Sequence, residues 1–185
     1  YTGGIAGSNE RGGVISGLTS ASSITVENTS THRAGGVAGE NSGTVEDASF
    51  TGSLALAESG GSGYAGGICG YNTGDLILCS RTGEISGSAE YIGGIVGSHS
   101  GGSAEQCGNE ADQRFRIAIG GIAGFVIDAD IVLSFSTGNI VLNSTSATYA
   151  GGIAGYISTD SAAANIGRCY NTGAISGSTG SSSYI

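Results

Sequence analysis

The sequence predicts an all-β protein, an elongated parallel β-helix of about six coils with roughly three short strands per coil and almost no helix. Three observations carry that prediction. A five-residue block, Gly-Gly-(Ile/Val)-(small or Val)-Gly, occurs six times, beginning at Gly3, Gly35, Gly66, Gly93, Gly120 and Gly151. The short β-prone stretches after each block are separated by Gly, Asn, Ser and Thr, residues that form turns for steric and hydrogen-bonding reasons. No segment sustains the 3.6-residue apolar period of a helix.

The blocks are offset by 32, 31, 27, 27 and 31 residues, a period near thirty with loop-sized insertions. This divides the single repeat domain, 1–185, near 1–32, 33–63, 64–90, 91–117, 118–148 and 149–183. Tyr1-Thr2 precedes the first block as Tyr184-Ile185 would precede a seventh, so the ends fall in phase and the expectation is a piece of a longer array. A thirty-residue unit cannot bury its own apolar side. Stacked on copies of itself at about 4.8 Å per layer, it pairs its backbone with its neighbours and shares one core, and six layers span about 29 Å. A propeller blade needs about four strands in 40 residues, more than a 27-residue unit supplies.

Composition agrees with a folded chain. Glycine accounts for 37 of 185 residues, against an average of about 7%. Yet 38% of residues are hydrophobic and only 11% are charged, the reverse of a disordered chain. A net charge of -9 with six dispersed arginines and no lysine excludes the basic surface that nucleic-acid binding needs. No stretch reaches the ~18 apolar residues of a membrane span. The acidity suits a solvated, secreted surface.

Downstream segments return with the blocks. Tyr149-Ala150-Gly151-Gly152-Ile153-Ala154-Gly155-Tyr156, followed by Cys169-Tyr170-Asn171-Thr172-Gly173-Ala174-Ile175-Ser176-Gly177, resembles the GLUG repeat. The resemblance covers all six repeats and is clearest at 64–97 and 149–177. It implies a large bacterial secreted or cell-surface parent, with flanking domains on the same chain. Such repeats occur in the non-catalytic parts of immunoglobulin A-cleaving metallopeptidases.

Stacking turns equivalent positions into columns. Two residues before each block stand Tyr1, Arg33, Tyr64, Tyr91, Ala118, Tyr149 and Tyr184. A structural column of rings is the simpler reading. The functional reading makes Tyr64, Tyr91 and Tyr149 a platform for a glycan or protein partner. Two residues after each block stand Asn9, Asn41, Asn72 and His99, then Val126 and Ile157, and the first three predict an asparagine ladder. Within the block both alternating faces are bare or apolar, which predicts a strand covered on both sides.

Cys79, Cys107 and Cys169 share a slot that holds Ala48 and Ser134 in other repeats, so a small buried side chain is expected there. With Cys69 they read as free thiols, although Cys79 and Cys107 fall on adjacent coils where a disulfide is geometrically allowed. No zinc-ligand spacing, His-Glu-x-x-His, nucleophile elbow or P-loop is present. Asp128 and Asp130, with Asp160 one coil on, form the best acid cluster. They would be the metal site if calcium binds, or the catalytic carboxylates if the chain were a carbohydrate-active β-helix enzyme; the plainer reading is an acidic turn. No cofactor is implied. Asn28-Thr29-Ser30 and Asn143-Ser144-Thr145 match a glycosylation acceptor pattern. Ice binding would need Thr-x-Thr rows, which are missing. The reading is a non-enzymatic structural or adhesive module, a stalk or spacer that is secreted or attached to a cell surface.

Overall fold

The computed structural model describes residues 1–27, 32–57, 62–115, 118–142 and 148–177, with the backbone at 183–184. Both acceptor-like Asn triplets lie outside the described residues. The described residues form a β-solenoid whose strand pairs are all parallel and in which no helix occurs. The pentads stand in one column, with Gly3, Gly35, Gly66, Gly93, Gly120 and Gly151 in register. Six pentads enclose about five turns, slightly fewer than the six coils expected. The strands after the sixth pentad lie on the fifth coil.

The first sheet stacks Thr2–Gly3, His32–Gly35, Gly63–Gly66, Tyr91–Gly93, Ala118–Gly120, Thr148–Gly151 and Ser183–Tyr184. The second stacks Ala6–Asn9, Ala38–Asn41, Cys69–Asn72, Val96–His99, Ala123–Ile127 and Ala154–Ser158. The pentad is therefore not one strand, as its alternation suggested, but the bend between these two. In the third coil the bend falls at Gly67-Ile68. Its third residue enters the core, where Val37, Ile68, Ile95 and Ile122 are fully buried.

The glycines are explained by what faces them. A Cβ on Gly36 would strike the Gly67 carbonyl oxygen and the Phe50 ring, and one on Gly67 the Gly94 carbonyl oxygen and the Arg81 side chain. A Cβ on Gly70 would strike the backbone of Ala34, one coil below in the first sheet. The pentad is thus covered on both sides by this chain itself, in the four middle coils.

A third sheet carries the seven-residue strands Val14–Ser20 and Thr44–Phe50, each matched in later coils by two short strands. In the third coil these are Asp75–Ile77 and Ser80–Arg81. Each coil thus holds four or five strands instead of three. A column of left-handed residues marks this corner, Gly17, Asp47, Leu78, Gln106, Leu133 and Arg168, with φ between 48° and 63°; the first two lie within the long strands, and the other four fall in the gaps between the paired short ones. Five of the six are not glycine, so sequence gave no sign of this corner. Directly after it the small slot points inward, with Ala48, Cys79, Cys107 and Ser134 buried.

The remaining side has two three-stranded stacks. One holds Ser23–Val26, Ser53–Leu56 and Glu84–Ser86; the other holds Gln113–Phe115, Ile140–Leu142 and Ile175–Gly177. The ends of the solenoid are wetter than its middle. Ile5 is 50% and Ile157 47% exposed, whereas their counterparts inside are covered.

Three substitutions test this geometry. Gly67→Ala is expected to destabilise by about 3 kcal/mol, because the obstructing atoms include a backbone oxygen that cannot swing away. At the left-handed corner, Leu78→Asn should stabilise by about 0.5 kcal/mol and Leu78→Val should destabilise by about 1 kcal/mol, as left-handed backbone tolerates Asn and penalises β-branching. Urea denaturation of the three variants reads both signs.

Candidate ligand-binding surface

The tyrosine column of the first sheet does not stand alone. The second sheet places Ser8, Glu40, Tyr71, Ser98, Phe125 and Tyr156 in register beside it. The two columns interdigitate into one stripe running up the solenoid. Tyr64 packs on Tyr71 and on Tyr91, both at 5.8 Å between ring centroids; Tyr91 stacks on Phe125 at 4.9 Å and Phe125 on Tyr156 at 5.5 Å. Tyr149 meets Tyr156 at 5.0 Å. At the lower end Arg33 lies 3.9 Å above the Tyr71 ring and 5.2 Å from that of Tyr1, with its charge paired to Glu40.

The columns are complementary. Where the first has Ala118, the second supplies Phe125; where the second has Ser98, the first supplies Tyr91, and Ala118 and Ser98 are buried. Tyr64, Tyr91 and Tyr149 therefore share one surface. Tyr64 and Tyr91 each have two ring neighbours, whereas Tyr149, packed against Tyr156, is 37% exposed. Burial, with Glu90 beside it, raises the Tyr91 hydroxyl above its ordinary pKa. The surface is a ridge of rings, and its second row was missed because Glu40 and Ser98 interrupt the aromatics Tyr71, Phe125 and Tyr156.

The asparagine column is a directional ladder. Asn9 Nδ2 donates to Asn41 Oδ1 at 2.7 Å, Asn41 Nδ2 to Asn72 Oδ1 at 2.7 Å, and Asn72 Nδ2 to His99 Nδ1 at 3.1 Å. His99 Nε2 then donates to the Asp130 carbonyl oxygen at 3.1 Å, which fixes the neutral tautomer. Burial pushes its pKa down to about 4.

The acids are also committed to the fold. Asp128 Oδ1 accepts from the Asp160 N–H at 2.9 Å, and Oδ2 accepts from the Ser161 N–H at 2.9 Å and hydroxyl at 2.8 Å. These bonds, the Ser161 hydroxyl foremost, push the Asp128 carboxyl down to about 2. Asp130 Oδ1 accepts from the Asn165 N–H at 3.1 Å. Asp75 holds the Ser103 N–H and Asp112 the Asn139 N–H in the same way. Each staples one coil to the next. Among the described residues no group of three or more His, Cys, Asp or Glu side chains is arranged to hold a metal ion.

The thiols of Cys69, Cys79 and Cys107 are free and buried, and Cys169 is free and half-buried. Burial raises the Cys69 thiol far above the ordinary range. Among the described residues no helix is long and apolar enough to cross a membrane. No family model, curated protein or solved structure matches this chain. What geometry defines is the class: a parallel β-solenoid with a ridge of interlocked aromatic rings.

The histidine makes stability depend on pH. A folded-state pKa below the unfolded value of about 6.5 means that the folded chain binds fewer protons. Its stabilisation is complete above pH 6.5 and is lost as pH falls through 4, by on the order of 3 kcal/mol. His99→Asn should extend the amide ladder and flatten that part of the profile. Denaturant midpoints of both proteins from pH 7.5 to 4 check this.

Proposed function

We propose that the chain is a structural and adhesive repeat module, a stalk or spacer of a bacterial secreted or cell-surface protein. The observation that carries this reading is the fate of its polar groups. The amides of Asn9, Asn41 and Asn72 and the carboxylates of Asp75, Asp112, Asp128 and Asp130 are spent on joining one coil to the next, and the aromatic ridge runs outward along the coils. The GLUG resemblance supports the setting. A ridge of rings along the solenoid axis offers a protein or glycan partner a linear contact, with Tyr64, Tyr91 and Tyr149 in one of its two rows. The alternative, a carbohydrate-active enzyme, needs carboxylates facing a groove. Here Asp128 and Asp130 accept backbone N–H groups of the following coil.

Two assays separate these readings. The module should release no reducing ends from a panel of polysaccharides. On arrays of extracellular proteins and oligosaccharides, its binding should fall at least tenfold in a Tyr64→Ala/Tyr149→Ala variant. Hydrolysis that disappears in Asp128→Asn/Asp130→Asn would overturn the proposal, as would array binding unaffected by the loss of both tyrosines.

A further inference from the structure

The junction between the third and fourth coils differs from the others described. On the fourth side of the solenoid, Glu84–Ser86 pairs with Ser53–Leu56 below, and Gln113–Phe115 with Ile140–Leu142 above, but the two stacks do not pair with each other. A cleft of about 340 Å³ opens there, lined by Thr82, Glu84, Ile85, Ser86, Ala111 and Asp112. At Gly87, φ is 96°. Fewer backbone hydrogen bonds cross this junction, which lowers the free energy of separating its coils.

Two features span the same junction. Buried Arg81 reaches upward, its Nη1 donating to Asn109 Oδ1 at 3.1 Å. Beside it stand Cys79 and Cys107, each immediately before residues paired in register, Ser80 with Gly108. That register sets the two cysteines side by side on neighbouring layers, and both side chains are fully buried. Parallel neighbours one layer apart are separated by about 4.8 Å, inside the usual Cα–Cα range of disulfides. Cys169 is kept from Cys107 by Ser134, which occupies the slot between them. Cys69 belongs to another sheet.

We propose that Cys79 and Cys107 are a disulfide-forming pair that clamps the third coil to the fourth across the interrupted side of the solenoid. The inference does not rest on the stalk reading. The oxidant is an external disulfide such as oxidised glutathione. The Cys79 thiolate attacks one of its sulfurs, forming a mixed disulfide and expelling one thiolate. Cys107, after losing its proton, attacks the Cys79 sulfur and expels the second glutathione thiolate. Two protein S–H bonds are replaced by one S–S bond, and the oxidant leaves as two thiols carrying the two protons. The same disulfide and the same two thiols result if Cys107 attacks first. Separation of the weak junction gives the oxidant access.

The test is incubation of the 185-residue protein with oxidised glutathione, in buffer and in low urea that loosens the coils, followed by peptide mapping without reductant. One cross-link, Cys79 to Cys107, is expected, with Cys69 and Cys169 still alkylatable. Closing a loop of about 30 residues should raise Tm by roughly 10 °C, reversibly with reductant. Amide exchange should slow at Glu84–Ser86 and Gln113–Phe115. Cys107→Ser and Cys79→Ala copy residues native to this slot; both should fold and gain nothing on oxidation. No Cys79–Cys107 link under either condition, a link through Cys69 or Cys169, intermolecular links, or an unchanged or lowered Tm would overturn the proposal.

Discussion

Everything in this molecule depends on the parallel, in-register hydrogen bonding of each coil to the one beneath it. A coil by itself has a ring of unpaired backbone groups above and below, and an apolar interior open at both ends. The neighbouring layer satisfies both at once. That is why the pentads must coincide, and why the glycines cannot carry side chains. Where Gly36 meets Phe50 and Gly67 meets Arg81, the bend presses the chain against the opposite wall of its own coil.

Register also decides what side chains do. Once like positions are layered, a single good interaction becomes a column. The amide ladder runs in one direction, each Nδ2 donating to the oxygen above, until His99 passes the bond to a backbone carbonyl. Aspartates at the corners grip the N–H of the coil that follows. Even the buried Arg81 is held by the oxygens of Gly83 and Asn109. Its burial pushes the guanidinium down to about 10, so it remains charged at neutral pH, inside a core built chiefly of Ile, Val, Leu and Ala.

The same logic shapes the surface. The aromatic ridge is a zipper of two columns, each filling the gaps left by the other, and Arg33 takes a ring's place over Tyr71. Such a ridge is rigid before any partner arrives, which reduces the ordering cost of binding along it. The break between the third and fourth coils is the exception to this regularity, and the two adjacent thiols lie across it.

Sequence alone determined the solenoid, the column of pentads, the asparagine ladder, the first row of tyrosines and the slot shared by three cysteines. All of these repeat at a fixed spacing, and repetition is visible in one dimension. Tertiary structure decided what repetition of residue type did not mark. The left-handed corner is held by Asp47, Leu78, Gln106, Leu133 and Arg168, an acid, two leucines, an amide and a base with no shared preference for that backbone angle. The pentad is a bend because its glycines bring two sheets into contact, and alternation along one strand does not report a change of direction. The second ring column, the spent carboxylates of Asp128 and Asp130 and the interrupted fourth side depend on which atoms meet across layers. Contact between residues some thirty positions apart is set by loop lengths and packing, and no local pattern records it.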